Sequence, residues 1–180
     1  NVGGKYNKDT YKDCAGYQND DREIVGFSHT HFSGTGHSDL GDFLVMPTVG
    51  DLQLEPGTKG DPKSGFRSAF SHANETAEAG YYKVLLEDDN ILAEMTATTR
   101  VGMHQYTFAN ASDDVHIILD LMHGIYDYAD KNVWTFARVE NDHTIVGYRQ
   151  TNGWARTRTV YFAMEFSKPF KSYGFKEFGK

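Results

Sequence analysis

The chain has 180 residues, of which 39% are apolar and 14% aromatic, and its 18 Lys and Arg against 25 Asp and Glu give a formal net charge of −7. This acidic balance argues against nucleic-acid binding, which needs a basic face. No apolar run approaches the ~20 residues that span a bilayer, and the aromatic content is too high for a disordered tail. The one cysteine, Cys14, excludes an internal disulfide framework and a four-thiolate zinc site.

The two ends of the sequence lead to an expectation about domain organisation. Asn1 is not an initiator methionine, and no basic-then-apolar signal segment follows it. At the other end, strand-like sequence runs directly to Lys180 without a linker. We therefore expect residues 1–180 to form a single β-sandwich domain that has been cut at both ends from a longer protein.

Three elements are predicted in the first half of the chain. Residues 43–46 (Phe-Leu-Val-Met) form a short apolar run typical of a strand. The segment 55–65 is rich in Pro and Gly, which predicts a surface loop. Residues 73–79 are small and acidic and favour a helical turn, which Gly80 would end.

Alternation of apolar and polar residues with period 2 dominates the rest of the chain and indicates strands with one buried face. The predicted strands are residues 82–87, 91–100, 115–121, 134–140, 144–150 and 157–166. Short Asp/Asn clusters and an Asn-Gly pair separate several of them, as tight hairpins require. The apolar parity shifts past Gly102, where we expect a bulge or bend, and Trp134 is assigned to the core with Phe136. The pattern predicts an all-β antiparallel β-sandwich of meanders and hairpins.

The segment 26–42 differs from the rest, because it contains three of the eight histidines, four glycines and two carboxylates. His29 and His31 are predicted to project from one face of a strand, since residues i and i+2 point the same way, and with His37 they would suggest a cupin-like metal site. A cupin also needs a Glu three or four residues beyond the second His, where this chain has Ser33, Gly34 and Thr35. The alternative is that His29 and His31 are buried, hydrogen-bonded supports for the loop.

The Gly-Thr-Gly within this segment does not fit a dinucleotide loop, which needs a third glycine and a following helix. Glycines do allow backbone amides to approach a ligand closely, and the mixed donors and acceptors around them suit a polyhydroxyl ligand. The candidate ligand-contacting residues are Gly34, Thr35, Gly36, His37, Ser38 and Asp39; the alternative is a structural turn. Trp154, in a predicted hairpin loop, offers an indole face suited to a sugar, although a Trp can equally serve packing.

The run Gly-Phe-Ser-His-Thr-His-Phe-Ser-Gly-Thr-Gly-His-Ser-Asp-Leu-Gly-Asp at 26–42 resembles the signature of glycoside hydrolase family 92, the calcium-dependent exo-acting α-mannosidases. Further segments resemble the family in the same order and cover nearly the whole chain. They are residues 70–75, 79–84, 97–102, 118–121, 147–155 and 161–170.

The resemblance implies an N-terminal β-sandwich that a helical (α/α)6 barrel follows in the family. Such enzymes are inverting, and their catalytic acid, base and calcium belong mainly to the barrel, so the resemblance assigns no catalytic or metal-binding residue to this chain. It implies that the sandwich supplies one wall of the substrate pocket, with Gly34–Asp39 as the candidate residues of that wall and His37 in contact beyond the terminal mannose, where it would help to select the linkage. Trp154 remains a candidate sugar contact on the chemistry of its ring.

For the longer protein, the resemblance implies calcium as cofactor, mannose-rich glycans with terminal α-linked mannose (α-1,2 above all) as substrate, and export to the bacterial periplasm or cell surface. It implies that this chain alone is inactive. An alternative on composition is a free-standing carbohydrate-binding β-sandwich module.

Overall fold

A computed structural model describes residues 4–5, 16–31, 39–61, 64–110, 114–127 and 130–177 of the chain. The chain divides into two compact units, Asn1–Tyr126 and Asp127–Lys180. Within the described ranges, strands and one 3-10 turn are the regular elements, and none of them is a helix with the length and hydropathy to span a membrane. Every strand pair with an assigned register is antiparallel.

The first unit contains most of the strands. They are β1 (Gly4–Lys5), β2 (Glu23–Ile24), β3 (Phe27–His29), β4 (Asp42–Val49), β5 (Ser68–Ala69), β6 (Glu75–Glu78), β7 (Tyr81–Leu86), β8 (Ile91–Ala97), β9 (Gly102–Phe108) and β10 (Val115–Asp120), while β11 (Tyr126–Asp127) lies at the boundary. Three sheets form within this unit, with the strand orders β10-β4-β3, β6-β7-β8-β9 and β2-β5.

The larger two of these sheets share one apolar core. Alternate residues of β4 and a single residue of β10 pack in the same cluster as alternate residues of β7 and β8, together with residues from the β2 and β5 regions. The buried members of this cluster are Ile24, Val25, Leu44, Met46, Phe66, Phe70, Val84, Leu86, Ile91, Ala93 and Ile118. Two sheets that bury their inner faces against each other define a β-sandwich, so the predicted all-β antiparallel fold is confirmed.

The second unit holds one meander of three long strands, β12 (Asn132–Asn141), β13 (Thr144–Thr151) and β14 (Arg158–Glu165). A tight turn joins β12 to β13, and the His143 amide there donates to Asn141 Oδ1 at 2.8 Å. The predicted strands 134–140, 144–150 and 157–166 correspond to these elements. In β14 the even positions such as Phe162 and Met164 are the less exposed ones, as the alternation predicts.

The predicted helical turn at residues 73–79 is wrong for most of its length. A 3-10 turn covers only His72–Asn74, where Ser71 Oγ caps the Ala73 amide, and Glu75–Glu78 is strand β6, paired with β7. Gly80, at φ 79°, makes the turn between β6 and β7 rather than ending a helix. Cross-strand pairing with β7 overrides the local propensity of this short segment.

The apolar parity shifts near Gly102 because the chain reverses there, and not because one strand carries a bulge. Strand β8 ends at Ala97, the Thr98 amide donates to Val101 O at 2.8 Å, and β9 begins at Gly102 opposite Ala97. The run 91–108 is therefore a hairpin, and the chain reverses where the parity changes.

Candidate functional site

The segment 26–42 contains strand β3 and the first residue of β4, which pair antiparallel, and residues 30–41 connect the two strands. Of the predicted ligand-contacting residues in this segment, Gly34, Thr35, Gly36, His37 and Ser38 lie outside the described residues. Asp39 is described and is half-buried. The candidate site is therefore described through the residues at the two ends of this segment.

Hydrogen bonds tie these two ends together. Thr30 Oγ1 donates to Asp42 Oδ2 at 2.5 Å, the Asp42 amide donates back to Thr30 Oγ1 at 3.2 Å, and the Gly41 amide donates to Thr30 O at 3.2 Å. Asp42 is only 1% exposed. A hydrogen bond to a buried carboxylate is among the stronger kinds in proteins, so Thr30 and Asp42 fix the distance across which the loop must close.

A β-bulge lies beside this closure. Phe27 pairs with Val45 but His29 pairs with Asp42, so β4 carries one extra residue there. Phe43, within the bulge, has φ 53°, and its carbonyl oxygen accepts a hydrogen bond from His29 Nδ1 at 2.8 Å. Bulges often occur next to active sites, where they redirect the chain.

The positions of His29 and His31 differ from those predicted for a shared strand face. Strand β3 ends at His29, and Thr30 has φ 59°, which turns the chain before His31. His31 is exposed and lies 2.7 Å from Ser28 Oγ through Nε2, whereas His29 is half-buried. The described residues contain no group of three or more His, Cys, Asp or Glu side chains arranged to hold a metal ion.

His29 instead stacks on His104 of β9, with ring centroids 5.1 Å apart and planes 9° from parallel. Phe27 packs edge-on against His104, and the Tyr106 hydroxyl lies 2.7 Å from His104 Nδ1. Burial, with the nearby His29 ring, lowers the pKa of His104 to about 4. His104 therefore remains neutral through the physiological range.

Trp154 lies in the loop between β13 and β14, as predicted, and is 87% exposed. The assignment of Trp134 to the core is wrong, because Trp134 is 58% exposed and Phe136 is 42% exposed. Their face of the β12-β13-β14 sheet carries a cross-strand row in which Phe136 and Tyr148 lie 5.5 Å apart and Tyr148 and Tyr161 lie 5.6 Å apart.

Sequence reasoning missed a hydrogen-bonded cluster around Glu75, the first residue of β6. Glu75 accepts hydrogen bonds from Tyr82 at 2.6 Å and Tyr17 at 3.0 Å, and its Oε2 lies 2.6 Å from His72 Nδ1. On its other side, His72 Nε2 lies 2.7 Å from Asn19 O. The spacing of three residues between His72 and Glu75 was a sign of this pair that the sequence offered. Tyr17 lies far from them in the sequence and reaches them only in the folded chain.

Sequence reasoning also missed the burial of Arg149, on strand β13. It is 1% exposed and donates to Asn132 Oδ1 through Nε at 2.9 Å and Nη2 at 2.5 Å. Arg149 is thus a buried side chain held by Asn132 of the neighbouring strand β12.

The antiparallel strands and the apolar core that two of their sheets share place the chain among the all-β sandwich domains. Residues 4–179 match the family model of the glycosyl hydrolase family 92 N-terminal domain. The chain therefore belongs to glycoside hydrolase family 92. No curated protein matches it.

Solved structures of the same family resemble the chain closely. The family GH92 α-mannosidase BT3965 from Bacteroides thetaiotaomicron, alone and in complex with mannoimidazole, is 43% identical with a TM-score of 0.82 over 89% of this chain. The gh92 family glycosyl hydrolase ccman5 is 26% identical with a TM-score of 0.62 over 83% of it. The chain spans about a fifth of these structures, 21% of the first and 20% of the second.

Proposed function

We propose that the chain is the N-terminal domain of an inverting, exo-acting α-mannosidase that releases terminal α-linked mannose, chiefly α-1,2-linked, from mannose-rich glycans. The observation that carries the proposal is the 43% identity to a solved α-mannosidase over 89% of the chain. In this proposal the chain supplies one wall of the substrate pocket through Gly34–Asp39 and Trp154. The exposure of Trp154 and the tied base of the loop support that role.

The catalytic carboxylates and the calcium ion are proposed to lie in the remainder of the longer protein. Inversion needs an acid and a base about 6.5–9.5 Å apart, so that a water molecule fits between the base and the sugar. Calcium prefers oxygen ligands, usually including several carboxylates. The described carboxylates Asp42 and Glu75 are occupied with hydrogen bonds inside the domain, which agrees with a supporting rather than a catalytic role.

The test is hydrolysis of α-1,2-mannobiose by the longer protein that carries this chain and by the 180-residue chain alone. We expect the longer protein to release mannose with the β-anomer formed first, as proton NMR of the anomeric signals would show. Activity should fall on chelation and return with calcium. No activity of the longer protein on any α-mannoside would refute the assignment, and activity of the chain alone would refute the placement of the catalytic groups.

We also propose that the longer protein is exported to the periplasm or cell surface, because its proposed substrates are large glycans. Cell fractionation with an antibody to the domain would test this. Recovery of the protein in the cytoplasmic fraction alone would contradict it.

A further inference from the structure

The turn after strand β10 lies beside the residues that lead into strand β4. The two strands pair antiparallel, and Asp120, the last residue of β10, pairs with Leu44. Strand β4 begins only two residues earlier, at Asp42, where the 26–42 segment ends. Because antiparallel strands run in opposite directions, the chain that leaves β10 continues alongside the chain that enters β4. The turn is therefore placed to support this end of the segment.

The side chain of Asp120 fixes the start of this turn. Its Oδ1 atom accepts hydrogen bonds from two backbone amides, at 2.7 Å from Met122 and at 3.1 Å from His123. An aspartate that bonds backbone amides just ahead of it closes an Asx-type turn, and hydrogen bonds to a carboxylate are stronger than those to a neutral acceptor. Asp120 therefore sets the direction in which the chain runs toward Ile125.

Ile125 carries the contact from this turn to the 26–42 segment. It is 4% exposed and packs with Leu40 in an apolar cluster separate from the larger core. The Ile125 amide donates to Leu40 O at 3.4 Å. A Cβ atom added to Gly41 would lie 2.9 Å from Ile125 Cγ1 and 3.4 Å from the Ile125 backbone nitrogen. Ile125 thus contacts both residues, and a side chain on Gly41 would collide with it.

We propose that Asp120 is a positioning residue of the proposed substrate pocket. Its effect passes through Ile125, which holds Leu40 and Gly41 in place. Asp39, a candidate contact to the glycan, directly precedes Leu40 in the sequence, so the same packing orders its backbone. The part of this inference that concerns the glycan rests on the proposed function. Since the cluster is separate from the larger core, loosening it should disturb residues 39–41 without unfolding the sandwich.

The first test follows hydrogen–deuterium exchange of the backbone amides of residues 39–42 in the longer protein, without ligand. Asp120→Ala should speed this exchange about 3- to 10-fold, the effect of losing one hydrogen bond. Asp120→Asn keeps an oxygen acceptor at the same place and should exchange at close to the wild-type rate. The matched control is Asp89→Ala, which removes a carboxylate that accepts from the Val49 amide at 3.2 Å, at the far end of β4. It should leave the exchange of residues 39–42 unchanged.

The second test measures kcat and KM of the longer protein on α-1,2-mannobiose. Asp120→Ala should raise KM about 3- to 10-fold and leave kcat almost unchanged, because the reacting groups are proposed to lie outside this chain. Ile125→Ala should raise KM by a similar factor. The double variant should be no more impaired than the more impaired single variant, because the effects of residues that act in series do not add.

Urea unfolding checks that each variant is folded. If Asp120→Ala does not fold, Asp120→Glu replaces it, since the longer side chain misplaces the oxygen. If Ile125→Ala does not fold, Ile125→Val carries the same comparison.

The outcomes separate this inference from the proposed function. If the longer protein hydrolyses α-mannosides and Asp120→Ala keeps the wild-type exchange, the positioning role is refuted alone. It is also refuted if Asp89→Ala has the same effect, if Asp120→Asn is as impaired as Asp120→Ala, or if the effects of Asp120 and Ile125 on KM multiply. Faster exchange with the wild-type KM refutes the link to the glycan. Faster exchange in a longer protein that hydrolyses no α-mannoside refutes the proposed function, whereas the hold of Asp120 on residues 39–42 is supported.

Discussion

Three neighbouring residues at the base of the 26–42 loop have left-handed backbone conformations. Thr30 and Phe43 have φ angles of 59° and 53°, and Gly41 has φ 83°. Such angles cost a non-glycine residue about 1–2 kcal/mol, so the hydrogen bonds between Thr30 and Asp42 have to offset strain as well as order the chain. Strain of this kind tends to concentrate at functional sites.

Gly41→Ala tests the packing at this base, and Gly80→Ala is its matched control. Both glycines have φ near 80°, but a Cβ on Gly41 would lie 2.9 Å from Ile125 Cγ1, whereas nothing lies within 4 Å of one on Gly80. We expect Gly80→Ala to lower the free energy of unfolding by about 1 kcal/mol and Gly41→Ala by about 1–3 kcal/mol more, from overpacking. Urea unfolding measures both, and equal losses would contradict the close contact with Ile125.

At the residue scale, the sequence located the loop but not the side chains that support it. The unusual composition of 26–42 is visible in the sequence, whereas the partners of His29 are Phe43 and His104, which the chain brings close only on folding. Trp134 was misassigned because alternation shows that a strand has two faces without showing which one is buried. Its aromatic side chain suggested a place in the core, but the face of the β12-β13-β14 sheet that carries Trp134 is exposed.

At the scale of elements, strand β6 shows how a short segment obtains its conformation from its neighbours. The 3-10 turn places His72 beside Glu75 at the start of β6, and Tyr17 and Tyr82 complete the cluster. The long strands were predictable because their alternation extends over many residues. Glu75–Glu78 has only four residues, too few for a period to decide between helix and strand.

The cluster around Glu75 predicts a pH-dependent stability. The hydrogen bond to Glu75, with that to Asn19 O, raises the pKa of His72 above its usual 6.5. Burial alone would raise the pKa of Glu75, but hydrogen bonds from Tyr82, His72 and Tyr17 outweigh it and lower that pKa. The stability from His72 is therefore complete below about pH 6.5 and is lost as pH rises through its folded-state pKa. The stability from Glu75 is present above its ordinary pKa and is lost on acidification.

We expect the stabilisation from this cluster to be largest between about pH 4.5 and 6.5. The urea midpoints of the wild type and of His72→Gln are measured at pH 5.5 and 8.5. In His72→Gln, the midpoint should change less between the two pH values, because most of the contribution of the cluster is lost. Arg22, whose Nη1 lies 3.0 Å from His72 Nε2, is retained in both proteins. His116→Gln serves as control and should keep the wild-type difference. A His72→Gln protein with the full wild-type difference would show that other groups cause the pH dependence.

At the scale of the whole molecule, a change at Trp154 tests the proposal that this chain contributes to the substrate pocket of a longer enzyme. Trp154→Ala should leave the unfolding free energy within about 0.5 kcal/mol, as expected for an exposed residue. It should lower kcat/KM on α-1,2-mannobiose about tenfold in the longer protein, because an aromatic contact with the sugar is lost. Trp134→Ala, also exposed, should leave kcat/KM unchanged. Equal kinetic effects of the two changes would argue against a specific contact at Trp154.

The two units bury different kinds of side chain, and this difference predicts how each of them opens. The first unit buries the apolar cluster of β4, β7, β8 and β10, whereas the buried side chains described in the second unit are Lys131, Arg149 and Thr151. Free energies of local opening follow buried apolar contact. In native-state hydrogen–deuterium exchange, the backbone amides of β7 and β8 should therefore be protected up to the global unfolding limit. The amides of β12–β14 should exchange through local openings of lower free energy.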